Sequence, residues 1–197
     1  MWDGILKHQA NYSDYLKLAE HNRGHLYPSC HAFEKDDKIS TFTLTNIVPQ
    51  AITFNSGSWQ KMEECAECVM QNYCVKNGIT EGYVVTGAKP GKNKLKGKVN
   101  IPSVLWSAFC CYSSKMNKWI ASAHWGDNVS EPKNKDNLPT KTLEELRKKL
   151  GFEAFSGRKT QCPHNSNVAE FYPNLLPECN CPPKGFNHSI SQTNNNF

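Results

Sequence analysis

The feature that most constrains this chain is a set of polar residues at fixed spacing in its first third. The set begins with Asn22-Arg23-Gly24-His25, continues with Thr45-Asn46-Ile47-Val48-Pro49-Gln50, and ends with Asn55 and Glu63. Positions 40–48 are rich in Thr, Ile, Phe and Val, and apolar residues spaced three and four apart follow position 55. The pattern therefore predicts strand, strand and helix, with His25 facing Asn55 across the hairpin.

The side chains of this set suit one kind of chemistry. The imidazole of His25, with an ordinary pKa of about 6.5, can take a proton from water near neutral pH. The forked guanidinium of Arg23 suits phosphate oxygens, and the amide oxygen of Asn55 suits a hard ion such as Mg²⁺. Glu63 lies about 12 Å further along a helix, so we expect it to hold a water on the ion. Together these groups indicate metal-assisted hydrolysis of a phosphodiester bond.

At these residues the sequence resembles the DNA/RNA non-specific endonucleases, in particular the endonuclease domain-containing 1-like proteins. The resemblance continues through positions 82–87 and 99–106, and it covers roughly positions 9–162. It implies an α+β fold, mostly antiparallel sheet, with a ββα-metal (His-Me) finger that is shortened at its N-terminus. The implied endonuclease domain is at 1–163, and a composition that turns to Asn, Pro and Ser after Cys162 predicts a polar, disordered tail at 164–197.

The resemblance also implies a role for each residue of the set. His25 is the general base, Asn55 is the single protein ligand of Mg²⁺ or of Mn²⁺ in its place, and Glu63 holds water on that ion. Arg23 supports catalysis, and the residues that brace the site are Asn22, Asn46 and Gln50. The implied activity is cleavage of DNA and RNA with little sequence specificity, by a secreted protein.

Two departures from the family pattern leave other interpretations open. The family usually has Asp where this sequence has Asn22, so a negative charge near His25 is missing. The family also has strands and a further active-site Arg before the motif, whereas no Arg precedes Arg23 here. The alternative function is a catalytically inactive, secreted, disulfide-rich binding protein on the same scaffold. An unstable fragment without function is a third possibility.

Cysteine content points to an oxidising compartment. Nine cysteines are many for a chain of 197 residues, and their odd number leaves at least one unpaired or intermolecular. Cys65 and Cys68 share the predicted helix, so disulfides to other elements are the favoured prediction and zinc binding is the alternative. Cys110 and Cys111 are adjacent on a predicted strand, so we expect them to face opposite sides and to have different partners.

The remaining patterns add few functional constraints. A net charge of +5 is compatible with a polyanionic partner, and no apolar run reaches the roughly 18 residues of a membrane span. Positions 1–7 lack the basic start and apolar stretch of a signal peptide. His21 and His31 are more typical of packing or solvated histidines than of metal ligands. Three triplets match the N-glycosylation pattern, beginning at Asn11, Asn128 and Asn187.

Further elements follow from local patterns. We predict a polar turn at 34–38, a strand at 40–48, a helix at about 55–73, and strands at 83–86, 104–112 and 119–124. A capping box at Thr142 opens a short helix that ends at Gly151. Five lysines between Lys89 and Lys98 form either a loop that contacts phosphates or, as the favoured interpretation, a solvated hairpin tip.

Overall fold

A computed structural model describes residues 10–132, 135, 137–156, 161–171, 179 and 181. Its strands are β1 (His21–His25), β2 (Ile47–Ala51), β3 (Val75–Lys76), β4 (Ile79–Thr80), β5 (Tyr83–Lys89), β6 (Lys94–Leu95), β7 (Val99–Asn100), β8 (Val104–Ser113) and β9 (Lys118–Asp127). Its helices are α1 (Lys35–Ser40), α2 (Ile52–Phe54), α3 (Gln60–Tyr73), α4 (Leu143–Leu150) and α5 (Val168–Phe171). Single 3-10 turns cover Tyr12–Tyr15, Ser29–His31 and Leu44–Asn46.

The central sheet has the antiparallel order β5-β8-β9, and its middle strand is buried almost throughout. Alternate residues of β8 and β9 face opposite sides, so the two faces carry two separate cores. On one face Phe109 and Ile120 pack against Val69 of α3. On the other face Ala108 and Ala121 pack against Leu146 of α4. Helices on both sides of one antiparallel sheet make this an α+β fold, as predicted.

The predicted strand–strand–helix order is present. Strand β1 pairs antiparallel with β2, with His25 opposite Ile47 and Asn22 opposite Gln50. The chain then continues through α2, a π-helical turn at Asn55–Trp59, and α3. This hairpin packs against two clusters. Ile47 packs with Tyr15 and Leu95, whereas Val48 and Ala51 pack with the core beneath α3.

The segment between β1 and β2 differs from its prediction. The expected polar turn at 34–38 is helix α1, and the expected strand at 40–48 is paired only from Ile47 onward. Side chains satisfy the local backbone here, since the Ser40 and Thr41 hydroxyls donate to carbonyls within the helix. These short-range bonds replace a sheet ladder, so the β-forming composition of this stretch does not produce a longer strand.

Four disulfides connect the elements, and the prediction that Cys110 and Cys111 have different partners is confirmed. The bonds are Cys65–Cys181, Cys68–Cys179, Cys74–Cys111 and Cys110–Cys162, and Cys30 is free. Zinc at Cys65 and Cys68 was the wrong alternative, because both sulfurs are in disulfides. The capping box at Thr142 and the left-handed Gly151 that ends α4 are both confirmed.

The domain boundary at 163 stays a prediction. Beyond it, helix α5 places Val168 in the core beside α3, and Cys179 and Cys181 are bonded to the same helix. The triplet at Asn187 and the Asn-rich end of the sequence lie outside the described residues. In the part that the structure covers, no helix is long and apolar enough to cross a membrane.

Candidate active site

His25 ends strand β1 and is half-buried. Its ring meets the ring of Phe42 edge-on, with 4.5 Å between centroids. Its Nε2 atom is buried and has no hydrogen-bond partner among the described residues. Burial, and then the positive charge of Arg23, lower the pKa of His25 below its ordinary value. The ring is therefore neutral near neutral pH and able to accept a proton.

Arg23 lies two residues before His25, so both side chains emerge from the same face of the hairpin. The guanidinium is exposed and lies 5.1 Å from the centre of the Tyr12 ring, in a cation–π contact. Within the described ranges it forms no ion pair with a carboxylate. A cation with this freedom, beside a neutral imidazole, is suited to an anionic ligand.

The opposite face of the hairpin holds Asn22 and Gln50, which are register partners. Gln50 is fully buried, and a Cβ at position 24 would overlap its side-chain amide, so only glycine fits at Gly24. The amide atoms of Gln50 and the Oδ1 atom of Asn22 have no partner among the residues described. Gln50 therefore fills the space that a side chain at Gly24 would occupy, directly before His25 in the strand.

Asn46 holds the turn that follows His25. Its Oδ1 accepts from the Tyr27 amide, and its Nδ2 donates to the Tyr27 and Thr41 carbonyls, all at 2.9 Å. Its own carbonyl accepts from the Leu26 amide, also at 2.9 Å. Asn46 therefore ties the end of β1 to the start of β2. These bonds favour the predicted bracing role.

Asn55 begins the π-helical turn between α2 and α3. The turn contains Gly57 in a non-helical conformation, which kinks the helix two residues after Asn55. Asn55 is partly exposed, and its side-chain amide makes no hydrogen bond within the described structure. An amide oxygen is a hard ligand, and Mg²⁺ keeps most of its waters, so this residue fits a magnesium ion.

Glu63 lies in the first turn of α3. Its Oε1 accepts a 2.8 Å hydrogen bond from the Trp59 indole. Burial raises the pKa of this carboxyl to about 8, because a charged carboxylate loses its hydration there. The Glu63 carbonyl also lies 3.3 Å from Nε2 of His31, which links α3 to the turn after β1. His31 thus packs against α3.

The hairpin therefore brings Arg23 and His25 together on one face and Asn22 and Gln50 on the other, while His31 connects the hairpin to Glu63. That His25 faces Asn55 stays a prediction. Among the described residues no three His, Cys, Asp or Glu side chains cluster as a metal site.

Two supports of the site were missed by sequence reasoning. Buried Glu131 accepts from the Ser58 amide and hydroxyl, and its own amide donates to Thr53. Buried Asn128 donates to the Pro49 and Pro102 carbonyls. The Asn128 triplet matches the glycosylation pattern, but its Nδ2 is buried and already bonded to these two carbonyls. Glu131 lies 73 residues from Ser58, and Asn128 lies 77 residues from its partner Ala51 in β2, so no local pattern indicates either support.

An antiparallel hairpin followed by a helix is the fold of the ββα-metal (His-Me) finger. Residues 4–161 match the family model described as DNA/RNA non-specific endonuclease, so the chain belongs to this family. It is also similar to the solved structure of EndoG in complex with EndoGI, with a TM-score of 0.59 at 19% identity. That similarity covers 81% of this chain and 69% of the EndoG chain, and it supports the fold.

Curated relatives carry related names. The chain is 31% identical over 109 residues to the endonuclease domain-containing 1 protein of Mus musculus, and 28% identical over 146 residues to that of Homo sapiens. These alignments cover 55% and 73% of this chain but 21% and 27% of the relatives. A nuclease of Nostoc sp. is 35% identical over 89 residues, which is 44% of this chain and 30% of that protein. The chain thus spans less than a third of the length of these relatives.

Proposed function

We propose that this chain is a metal-dependent endonuclease that hydrolyses phosphodiester bonds of DNA and RNA with little sequence specificity. The observation that carries the proposal is the placement of half-buried His25 beside exposed Arg23 on one face of the hairpin, where no described carboxylate pairs with the guanidinium. A base and an anion-binding cation side by side are what hydrolysis of a phosphodiester requires. Membership in the endonuclease family supports the same chemistry.

Each residue of the site has a role in this proposal. His25 takes the proton of the attacking water, and Arg23 binds the oxygens of the phosphate. Asn55 would hold Mg²⁺, or Mn²⁺ in its place, and Glu63 would face the waters around the ion. When bound, the ion offsets the negative charge that develops on the phosphate and the leaving oxygen. The residues that position the base are Asn22, Asn46 and Gln50.

Low sequence specificity follows from binding by phosphate contacts rather than by base edges. The lysine-rich segment contributes less than its count implies. Lys96 donates to the Ser13 and Leu16 carbonyls, and Lys98 forms a 3.0 Å ion pair with Asp14. These two lysines hold the segment before β1 in place, so they are structural rather than available to phosphates.

The disulfides bear on where the protein works. Two of the four disulfides join α3 to Cys179 and Cys181, one joins the end of α3 to the central sheet, and one joins the central sheet to Cys162. Several disulfides in one domain form and persist in an oxidising compartment. We therefore propose that the protein is secreted and acts on extracellular nucleic acid.

An inactive binding protein on the same scaffold is the second candidate, and Asn22 is the observation that favours it. A neutral amide stands where the family usually has Asp, and its Oδ1 is buried without a partner in the described structure. If His25 needs a nearby negative charge for its orientation, catalysis fails while binding of nucleic acid persists.

The test offers the purified, disulfide-bonded protein four end-labelled substrates: single-stranded and double-stranded forms of DNA and of RNA. The proposal predicts cleavage at many positions with Mg²⁺ or Mn²⁺, and none with EDTA. Intact substrates after incubation with a protein that shows cooperative unfolding would overturn the enzyme and leave the binding protein. Cleavage at one sequence alone would contradict the low specificity.

A further inference from the structure

An open groove of about 540 Å³ lies between the turn after β1 and helix α1. Its lining includes Tyr27, Phe33, Asp37 and Asn46. The groove adjoins the candidate active site, because Tyr27 is two residues beyond His25 and is bonded to Asn46. We call this feature the aromatic groove, for the rings described next.

Two aromatic rings of the groove lining, Tyr27 and Phe33, are exposed to solvent, and a third exposed ring, that of Phe42, directly follows the lining residue Thr41 in the chain. Phe33 is 91% exposed, Phe42 is 58% exposed and Tyr27 is 36% exposed. They come from three different segments, and Phe42 contacts the His25 ring directly. Isolated exposed apolar residues are ordinary, but several aromatic rings gathered beside a groove indicate a binding surface. None of the three belongs to a buried core cluster.

The charge of the groove selects among possible ligands. Among the described residues that line it, Asp37 is the one acidic side chain, His31 contributes an imidazole, and none is a lysine or an arginine. A carboxylate repels phosphate, so the groove is not built to hold the backbone of a nucleic acid. The same carboxylate can accept hydrogen bonds from the amino groups of a nucleobase. The aromatic rings can stack on the face of that nucleobase.

We propose that the aromatic groove binds an unstacked nucleobase of the strand whose phosphate lies at His25 and Arg23. The proposal rests on the proposed nuclease function, since continuity with that site is what brings a strand to the groove. Bases in a duplex are stacked and paired, so the groove favours single-stranded DNA and RNA. Substrate preference then comes from base stacking, in a sequence-tolerant way.

Binding of fluorescent oligonucleotides, measured by anisotropy in EDTA, tests the proposal without cleavage. The probes are a single strand, a strand of equal length without bases, and a duplex. The variants are Phe33→Ala and the double variant Phe33→Ala/Phe42→Ala, with Phe33→Trp as the conservative replacement. Ile79→Ala is the matched control, because Ile79 is 69% exposed on the β3–β4 hairpin, outside the groove lining.

The expected result is a loss of single-strand affinity of about fivefold or more for each ring removed, with duplex binding unchanged. Phe33→Trp should keep the affinity, and the double variant should no longer distinguish the base-bearing strand from the baseless one. Equal losses of affinity for the single strand and the duplex, or no loss of affinity in the double variant, would overturn the proposal for the groove. If the wild-type protein cleaves with Mg²⁺ but binds no oligonucleotide in EDTA, or if it cleaves while the variants bind normally, only the groove proposal fails. If the wild-type protein neither binds nor cleaves, both proposals fail.

Discussion

The hydroxyl of Ser58 donates a 2.8 Å hydrogen bond to the buried carboxylate of Glu131, which lies 73 residues away in sequence. Glu131 also accepts from the Ser58 amide at 3.3 Å and pairs with Lys135 at 2.9 Å. Ser58 lies in the π-helical turn that Asn55 begins. The position of the proposed metal ligand is therefore held by a segment that follows the central sheet.

Removing this support should destabilise the protein. Glu131→Ala leaves the buried Ser58 hydroxyl and amide without their acceptor, so the free energy of unfolding should fall by about 2–4 kcal/mol. Urea denaturation measures this change. Glu81→Ala, at an exposed carboxylate, is the matched control and should stay within about 0.5 kcal/mol of wild type. Equal stability of the two variants would show that Glu131 does not hold the turn.

Glu63 should make stability depend on pH. Its pKa in the folded protein is about 8, compared with an ordinary 4.5, so folding favours its protonated form. This contribution is complete below the ordinary pKa and is lost as the pH rises through the folded value. The unfolding free energy of wild type, relative to that of Glu63→Gln, should therefore fall by a few kcal/mol from about pH 5 to about pH 8.

The same carboxyl should couple ion binding to proton release. A bound cation favours the ionised form of Glu63, so the apparent affinity for Mg²⁺ should increase with pH up to about pH 8. Calorimetric titration in buffers of different ionisation enthalpy measures both the affinity and the released proton. Glu63→Gln should lose the proton release, whereas Glu64→Gln, at an exposed neighbour, should keep it. Proton release from Glu63→Gln equal to that of wild type would exclude the coupling.

His25 should titrate below its ordinary pKa of about 6.5. Burial and the charge of Arg23 both disfavour the imidazolium, so removing that charge should raise the pKa again. Nuclear magnetic resonance of the ring protons follows this titration without any need for activity. We expect the midpoint of Arg23→Gln to lie above that of wild type. A lower midpoint in Arg23→Gln would place the two groups differently from the structure.

The disulfide between Cys110 and Cys162 should contribute strongly to stability, since both sulfurs are buried between the sheet and α4. Replacing both residues by Ser opens a loop of 52 residues and should cost about 4 kcal/mol of unfolding free energy. Chemical denaturation measures the difference. Cys30→Ser removes the free thiol and should leave stability nearly unchanged. A larger loss from Cys30→Ser than from the double variant would contradict the assigned bonding.

Much of the fold was predictable because its determinants are local. Strand composition before position 49 and apolar residues spaced three and four apart after position 55 indicated strand and helix, and the capping box at Thr142 has its partner three residues away. Adjacent residues on a strand must face opposite sides, so Cys110 and Cys111 had to differ in their partners. The composition of positions 40–48 indicated a longer strand, but short side-chain bonds at Ser40 and Thr41 prevail there.

The supports of the candidate site were beyond sequence reasoning for a physical reason. Glu131 and Asn128 act through tertiary contacts to chain segments that only folding brings near. By contrast, the hydrogen bond between Trp59 and Glu63 could have been predicted from the sequence, because residues four apart on a helix are neighbours.

Nicking of supercoiled plasmid by His25→Ala, compared with wild type and with His21→Ala, tests the central claim most directly. His21 lies on the same strand and has no assigned role, so its variant controls for the loss of an imidazole from β1. With Mg²⁺, wild type and His21→Ala should convert the plasmid to nicked and linear forms, and EDTA should stop both. His25→Ala should be slower by at least about 100-fold. Cleavage by His25→Ala at the wild-type rate, or no cleavage by folded wild type, would contradict the account.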